Sequence, residues 1–475
     1  MIDIQLAVER LTGAGEPLGT AFSGHAGVGV DLAAAGYVEE EFLVSGTASE
    51  WVYDVEFNRV PLASHPYMTR VLVRRPADPK AASGLVQLEP LHPNLDRANT
   101  WRSIHGWILR NGHAWVGVTQ DTTCAELISR HFPERYNRLS VPVAGLVYDL
   151  LGQVSVALRE GAFDVIADRI TLSGWSATGS ISRLYVQEGF INDYTLTDGT
   201  PSISSVLIGI SSGAAGTAGY PLLSAGSDPL PLEHPRRTVS GAPVPVFEVL
   251  SEFESETHFP VLRRDSDATA DRYRLYAIAG TSHANLDATG VLTNFPQFQA
   301  VGLDVPERRI LEAPSDACMD SYIRALYEHL DRWAGDGVAP PAGRHFTPAG
   351  AVAGRTVELE RDAFGNVVGG VRTPWTDAPL QSYVPHSTPA PGYCLAPAWT
   401  PLGDPARVAA LVGHMVPLPA ATVAGLYASD EEYALRFTAA VEASVADGFL
   451  LEAEAEALRG GITGRWAAFG TTTRG

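Results

Sequence analysis

The chain has 475 residues, 45% hydrophobic and 19% charged, a composition that supports a sizeable folded core and argues against disorder. Its 34 basic and 54 acidic residues leave a net charge of −20, which argues against a general nucleic-acid or anionic-membrane binder. Three widely spaced cysteines, Cys124, Cys318 and Cys394, argue against a disulfide framework or a cysteine zinc site.

The first residues lack a basic region followed by an apolar one, so no secretory signal is expected. No apolar run of about 18 residues occurs, so no membrane span is expected either. A soluble cytoplasmic protein is the resulting expectation. The length fits about three domains or one large α/β domain with insertions.

Residues 1–80 are Gly-rich, with strand-like runs at 41–44 and 68–74, and read as a β-rich N-terminal region. Residues 83–89 form a short apolar strand that runs into a loop with Pro90 and Pro93. Residues 101–110 carry Trp101, Ile104, Ile108 and Leu109 at helical spacing, and Asn111-Gly112 stops that helix. Residues 114–119 read as a buried strand, 141–160 as a long helix and 169–173 as another strand. This alternation predicts a mostly parallel sheet with helices on both faces.

Further strands are expected at 204–210, 244–250 and 274–279. A Gly/Ser/Pro-rich stretch separates the first two. Residues 314–335 form an amphipathic helix with Tyr322, Ala325, Leu326, Leu330 and Trp333 on one side. Beyond a Pro-rich linker at 339–343, a hairpin pairs 357–360 with 367–372, and helices follow at 431–446 and 452–459. The expected division is 1–80, an α/β core at 81–335 with a lid at about 185–243, and a C-terminal extension at 336–475. That extension is a cap or an interaction region.

Chemistry concentrates at Gly174-Trp175-Ser176-Ala177-Thr178-Gly179, where a strand gives way to a helix. The stretch is close to the nucleophile elbow, G-x-S-x-G. Gly174 meets the need for a small residue. Thr178 departs from the pattern, and the second glycine, Gly179, comes one place late. A serine capping a helix is the plainer reading.

A serine hydroxyl needs a base. In this architecture an acid and then a histidine follow the serine in chain order. Seven histidines follow Ser176. His283 stands out, in Gly280-Thr281-Ser282-His283, just past a strand and where such sheets present ligand-facing groups. Taken alone, it would be read as a loop histidine with a structural hydrogen bond. After the strand at 244–250, Glu254 sits where the loop should turn towards the histidine, with Glu252 as runner-up. Acidic loops are usually only solvated. No metal or nucleotide motif appears, so no cofactor is expected.

Several stretches carry a resemblance: 33–48, 111–119, the Ser176 elbow, 251–254, 280–283 and 364–374. With them the chain resembles the bacterial α/β-hydrolase-domain family, an esterase-like branch of serine hydrolases with a large cap. The resemblance implies an α/β-hydrolase fold, a triad of Ser176, Glu254 and His283, and a C-terminal extension within the same functional unit. The family commonly carries Gln after the nucleophile, where this chain has Ala177. That difference bears on substrate choice more than on catalysis, because the elbow uses the backbone N–H.

An oxyanion hole needs two N–H donors. One is expected from Ala177 and the other from the loop after the strand at 85–89. Pro90 and Pro93 have no N–H. Leu91 and His92 remain, and Leu91 is the expected donor. Trp175 reads as core or as pocket wall, and His92 as a partly exposed loop histidine, with contact to substrate the alternative for each. The expected reaction is acyl transfer from a small-molecule ester to water, with no nucleic-acid or membrane partner and the oligomeric state open. Acyltransferase or amidase chemistry on the same triad is an alternative. A non-catalytic binding protein on a hydrolase scaffold is another, and Thr178 is the feature that favours it.

Overall fold

The computed structural model describes residues 6–12, 15, 17–18, 30–93, 95–214, 223–224, 227–284, 310–351, 356–393 and 404–472. Cys394 lies outside them, as do 215–222 and 225–226 of the expected lid. Among the described residues a nine-stranded sheet forms the frame. Its strands are β1 (Ala7–Arg10), β2 (Tyr37–Tyr53), β3 (Arg59–Pro76), β4 (Leu85–Pro90), β5 (Ala114–Val118), β6 (Arg169–Trp175), β7 (Ser205–Gly209), β8 (Val246–Leu250) and β9 (Tyr273–Ala277). Their order is β1-β2-β3-β5-β4-β6-β7-β8-β9.

The strands from β5 to β9 in that order run parallel, while β1, β2 and β3 pair antiparallel and join them through β5. Every residue of β4, β5, β7, β8 and β9 is buried, as expected for strands covered on both faces. β2 and β3 are far longer than the runs at 41–44 and 68–74. Their outer halves are partly exposed, and the β2–β3 ladder, with one register shift at Glu50/Trp51, extends them beyond any apolar pattern.

Helices α1 (Asn99–Arg110), α2 (Val147–Arg159), α3 (Ala177–Gln187), α4 (Glu252–His258) and α5 (Asp320–Gly335) flank the sheet or follow its strands. Leu150, Leu151 and Val154 of α2 and Leu184 of α3 belong to the core on one face. Trp101, Trp107, Phe247, Tyr327 and Trp333 pack together on the other, beneath α1 and α5. The expected helix at 141–160 begins only at Val147, after Pro142 and a short 3₁₀ turn at Ala144–Leu146. The helix expected from 314 begins at Asp320, because Pro314 and Ser315 bridge instead to His414 and Gly413.

One expected boundary changes. Residues 185–243 are not one lid insertion, because β7 lies within that span and is a central strand of the sheet. The extension from 336 shares the core of the sheet. Val371, Trp375, Tyr383, Phe437 and Phe449 join the same cluster as Trp101 and Trp333. Backbone bonds tie it to β9: Ala277 N–H donates to Arg344 O at 2.9 Å, and Val371 N–H to Ala277 O at 2.7 Å. The expected hairpin forms as isolated bridges, with Val368 N–H donating to Glu360 O at 2.9 Å.

Candidate active site

Ser176 sits between β6 and α3 with φ +62° and ψ −121°. A non-glycine residue at positive φ is strained and must be held by its surroundings. Three contacts hold it. Ser176 N–H donates to Gly209 O at 3.0 Å. Trp175 N–H donates to the Thr178 hydroxyl at 2.9 Å, and that hydroxyl donates to Trp175 O at 3.0 Å.

The glycines are required by space. A Cβ on Gly174 would lie 2.1 Å from Thr178 O, and one on Gly179 would lie 2.2 Å from Gly209 O. The close approach to β7 therefore falls on Gly179, and Thr178 braces the turn with its side chain. This accounts for the departure from the usual motif. Ala177 is exposed and opens α3. The first N–H groups of a helix have no intrahelical acceptor, which suits that of Ala177 to a developing oxyanion.

β8 ends at Leu250, and Ser251 caps α4 with Glu254 in a reciprocal capping box. Glu254 Oε2 accepts from Ser251 Oγ at 2.5 Å and from Ser251 N–H at 3.3 Å. Its Oε1 accepts from His283 Nδ1 at 2.6 Å. The Glu254 side chain is 2% exposed and that of His283 is 6% exposed. Burial pushes the Glu254 carboxyl up. The His283 charge and the hydrogen bonds from His283 and Ser251 outweigh this and hold it below the ordinary range. An ionised carboxylate only accepts, so Nδ1 carries the proton and Nε2 is left as the basic atom.

Glu252 is occupied elsewhere. Its Oε1 accepts from Gly280 N–H at 2.7 Å, and its Oε2 accepts from Arg361 at 2.6 Å. The geometry therefore pairs His283 with Glu254 and not with the runner-up.

Because β6, β8 and β9 are parallel, Ser176, Glu254 and His283 all leave the sheet at the same edge. Among the described residues, a hydrogen bond joins Glu254 to His283 and none joins Ser176 to His283. Serine–histidine contacts often tighten only when substrate is bound.

One expectation is corrected. The N–H of Leu91 donates to Val118 O at 2.9 Å, so the β4–β5 ladder has taken it from an oxyanion hole. Trp175 takes the core position that one of its two readings gave it. It is 5% exposed, packs in the core, and donates from Nε1 to the Tyr327 hydroxyl at 3.3 Å. His92 is half-buried in the loop after β4, and its N–H donates to Arg97 O at 2.9 Å. In that same loop, Asn94 lies outside the described residues.

Sequence reading missed three contributors. Ser251 was legible, since Ser251-Glu252-Phe253-Glu254 has the S-x-x-E spacing of a capping box. The bracing role of Thr178 looked like a defect. Arg361 gave no local signal at all, because its partner is 109 positions away.

The family model described as alpha/beta hydrolase domain matches residues 9–460. The chain belongs to that family. The resemblance and the fold expected from the sequence both hold for this alpha/beta hydrolase. No curated protein matches it. Among solved structures it is similar to a lipase/esterase from Lactobacillus plantarum, at 15% identity over 43% of this chain and 77% of that one, with a TM-score of 0.25. It is similar to a fungal esterase from Rhizomucor miehei, at 10% identity over 54% of this chain and 80% of that one, with a TM-score of 0.29. A thermostable esterase from Pseudomonas putida ECU1011 matches at 16% identity over 48% and 67%, with a TM-score of 0.28. Likenesses this low carry no argument about activity. Among the described residues no helix is long and apolar enough to cross a membrane.

Proposed function

We propose that this alpha/beta hydrolase cleaves small carboxylic esters through an acyl-enzyme on Ser176. The observation that carries the reading is the 2.6 Å bond from His283 Nδ1 to the buried Glu254, at the same sheet edge as a serine held at positive φ. Triads of this kind are recognised by geometry and roles rather than by sequence position.

In the first half-reaction His283 Nε2 takes the Ser176 hydroxyl proton as Oγ attacks the ester carbonyl. Glu254 stabilises the imidazolium that forms. The N–H of Ala177 receives the developing oxyanion, and one such donor is worth roughly 2.7–4 kcal/mol. The tetrahedral intermediate collapses, the C–O bond to the alcohol breaks, and His283 returns the proton to the leaving oxygen. Water then attacks the acyl-enzyme with His283 as base. The carboxylic acid leaves and Ser176 is regenerated.

The feature that favoured a non-catalytic scaffold loses its weight, because the Thr178 hydroxyl bonds both polar groups of Trp175 and braces the elbow. Covalent labelling with a fluorophosphonate and peptide mapping test the proposal. One adduct on Ser176, absent from Ser176→Ala, is expected. No adduct, or one that persists in the variant, would reject the triad.

A further inference from the structure

The geometry points to Glu252 and Arg361 as positioning residues that hold the His283 loop against Glu254, so the C-terminal extension takes part in presenting the base. The inference rests on the serine-hydrolase reading of Ser176 and His283.

The loop Gly280-Thr281-Ser282-His283 leaves β9 and passes the start of α4. Two carboxylates of that helix, two residues apart, take different parts of the loop. Glu254 takes the imidazole, and Glu252 takes the backbone. Gly280 N–H donates to Glu252 Oε1 at 2.7 Å, and Glu252 N–H donates to Thr281 O at 3.2 Å. Gly280 has φ +80°, a conformation natural to glycine, and this turn aims its N–H at Glu252.

Glu252 is 1% exposed. A buried carboxylate without a counter-charge is strongly disfavoured. Arg361 supplies the charge, with Nη1 at 2.6 Å from Oε2, and also donates to Tyr383 O at 3.3 Å. Even with Arg361 present, burial keeps the Glu252 carboxyl pushed up to about 7.

The extension grips the far side of the loop as well. Gly413 N–H donates to Ser282 Oγ at 2.9 Å, and Ala284 N–H donates to Leu411 O at 2.8 Å. His283 is therefore held between α4 and the extension. Among the described residues no hydrogen bond joins Glu252 to the His283 ring or to Ser176, so it acts through the loop backbone.

The test uses the full chain with Arg361→Met, Arg361→Lys and Glu252→Gln. Three quantities are read: the rate of fluorophosphonate labelling at Ser176, kcat and KM on p-nitrophenyl butyrate, and the downfield proton resonance of His283 Nδ1–H. For Arg361→Met, labelling rate and kcat should fall on the order of 10–100-fold, the scale of a displaced catalytic group, with KM little changed. The resonance should shift or broaden, and Arg361→Lys should restore much of each. Wild-type labelling and an unchanged resonance in Arg361→Met would overturn the inference, even if its melting temperature fell.

If Arg361→Met does not fold, Glu252→Gln decides. It keeps an acceptor for Gly280 N–H but drops the charge that meets Arg361. A shifted resonance with reduced kcat supports the inference, and wild-type values for both reject it. If the wild-type protein takes no label on Ser176, the hydrolase reading fails by itself, and the His283 resonance in the variants still decides the positioning.

Discussion

Gly179 lies so close to Gly209 that a Cβ on Gly179 would meet the Gly209 carbonyl oxygen at 2.2 Å. The same oxygen accepts the Ser176 N–H at 3.0 Å. The packing of α3 on β7 and the position of Ser176 therefore depend on one carbonyl. Gly179→Ala should destabilise the fold by about 1–3 kcal/mol, as overpacking does. It should also slow fluorophosphonate labelling. Thr178→Ala should cost about 1 kcal/mol from its two lost bonds to Trp175. Denaturant melts and labelling rates of both variants check this. Wild-type behaviour of Gly179→Ala would show that the elbow does not depend on this approach.

The triad reading makes a quantitative statement about the acid. Glu254→Gln preserves shape but lets the amide donate to Nδ1, favouring the wrong tautomer of His283. Turnover should drop on the order of 10⁴-fold, as for comparable acid-to-amide changes. Ser176→Ala and His283→Ala should each cost about as much as the two combined, because the residues act as one unit. Steady-state rates on an activated ester measure both. Additive losses would argue that the residues act separately.

The buried carboxyls make stability depend on pH. Burial lifts Glu89 to about 7, although Thr100 N–H at 2.7 Å, Trp101 N–H and the Trp115 indole all donate to it. Its unfolded value is about 4.3. The folded state thus holds the proton more tightly. The stability from this group is fully present below about pH 4.3 and is lost as pH rises through about 7. Buried His113 and His258, both pushed down to about 4, work in the opposite sense over an overlapping range. The test is therefore the difference between wild type and Glu89→Gln. Urea melts should show the advantage of wild type over the variant shrinking between about pH 5 and 7, by up to about 1.4 kcal/mol per pH unit. A constant difference would place the Glu89 titration elsewhere.

Removal of residues 336–475 should abolish folding rather than release an independent module. It would strip Trp375, Tyr383, Phe437 and Phe449 from the cluster around Trp101 and Trp333. It would also leave the bonds of β9 with Arg344 and Val371 unmade. Circular dichroism melts of the truncated chain should show no cooperative transition. A cooperative, soluble fragment would instead mark the extension as separable.

The sequence by itself determined the elements whose signals are local. Largely apolar runs announced β4 to β9, because strands covered on both faces read as near-continuous hydrophobic segments. The family, the chain order of Ser176, Glu254 and His283, and the capping spacing at Ser251 were equally legible. Tertiary structure decided what depends on partners distant in sequence. Only the β4–β5 register shows that the N–H of Leu91 is taken by Val118. Only packing against Tyr327 shows that Trp175 is core. Glu252, the runner-up from the sequence, is occupied by Gly280 and Arg361, residues 28 and 109 positions away, and only the tertiary structure shows it. Local pattern encodes which residues must be buried or turned. Which donor meets which acceptor is settled by backbone satisfaction across the assembled sheet and its extension.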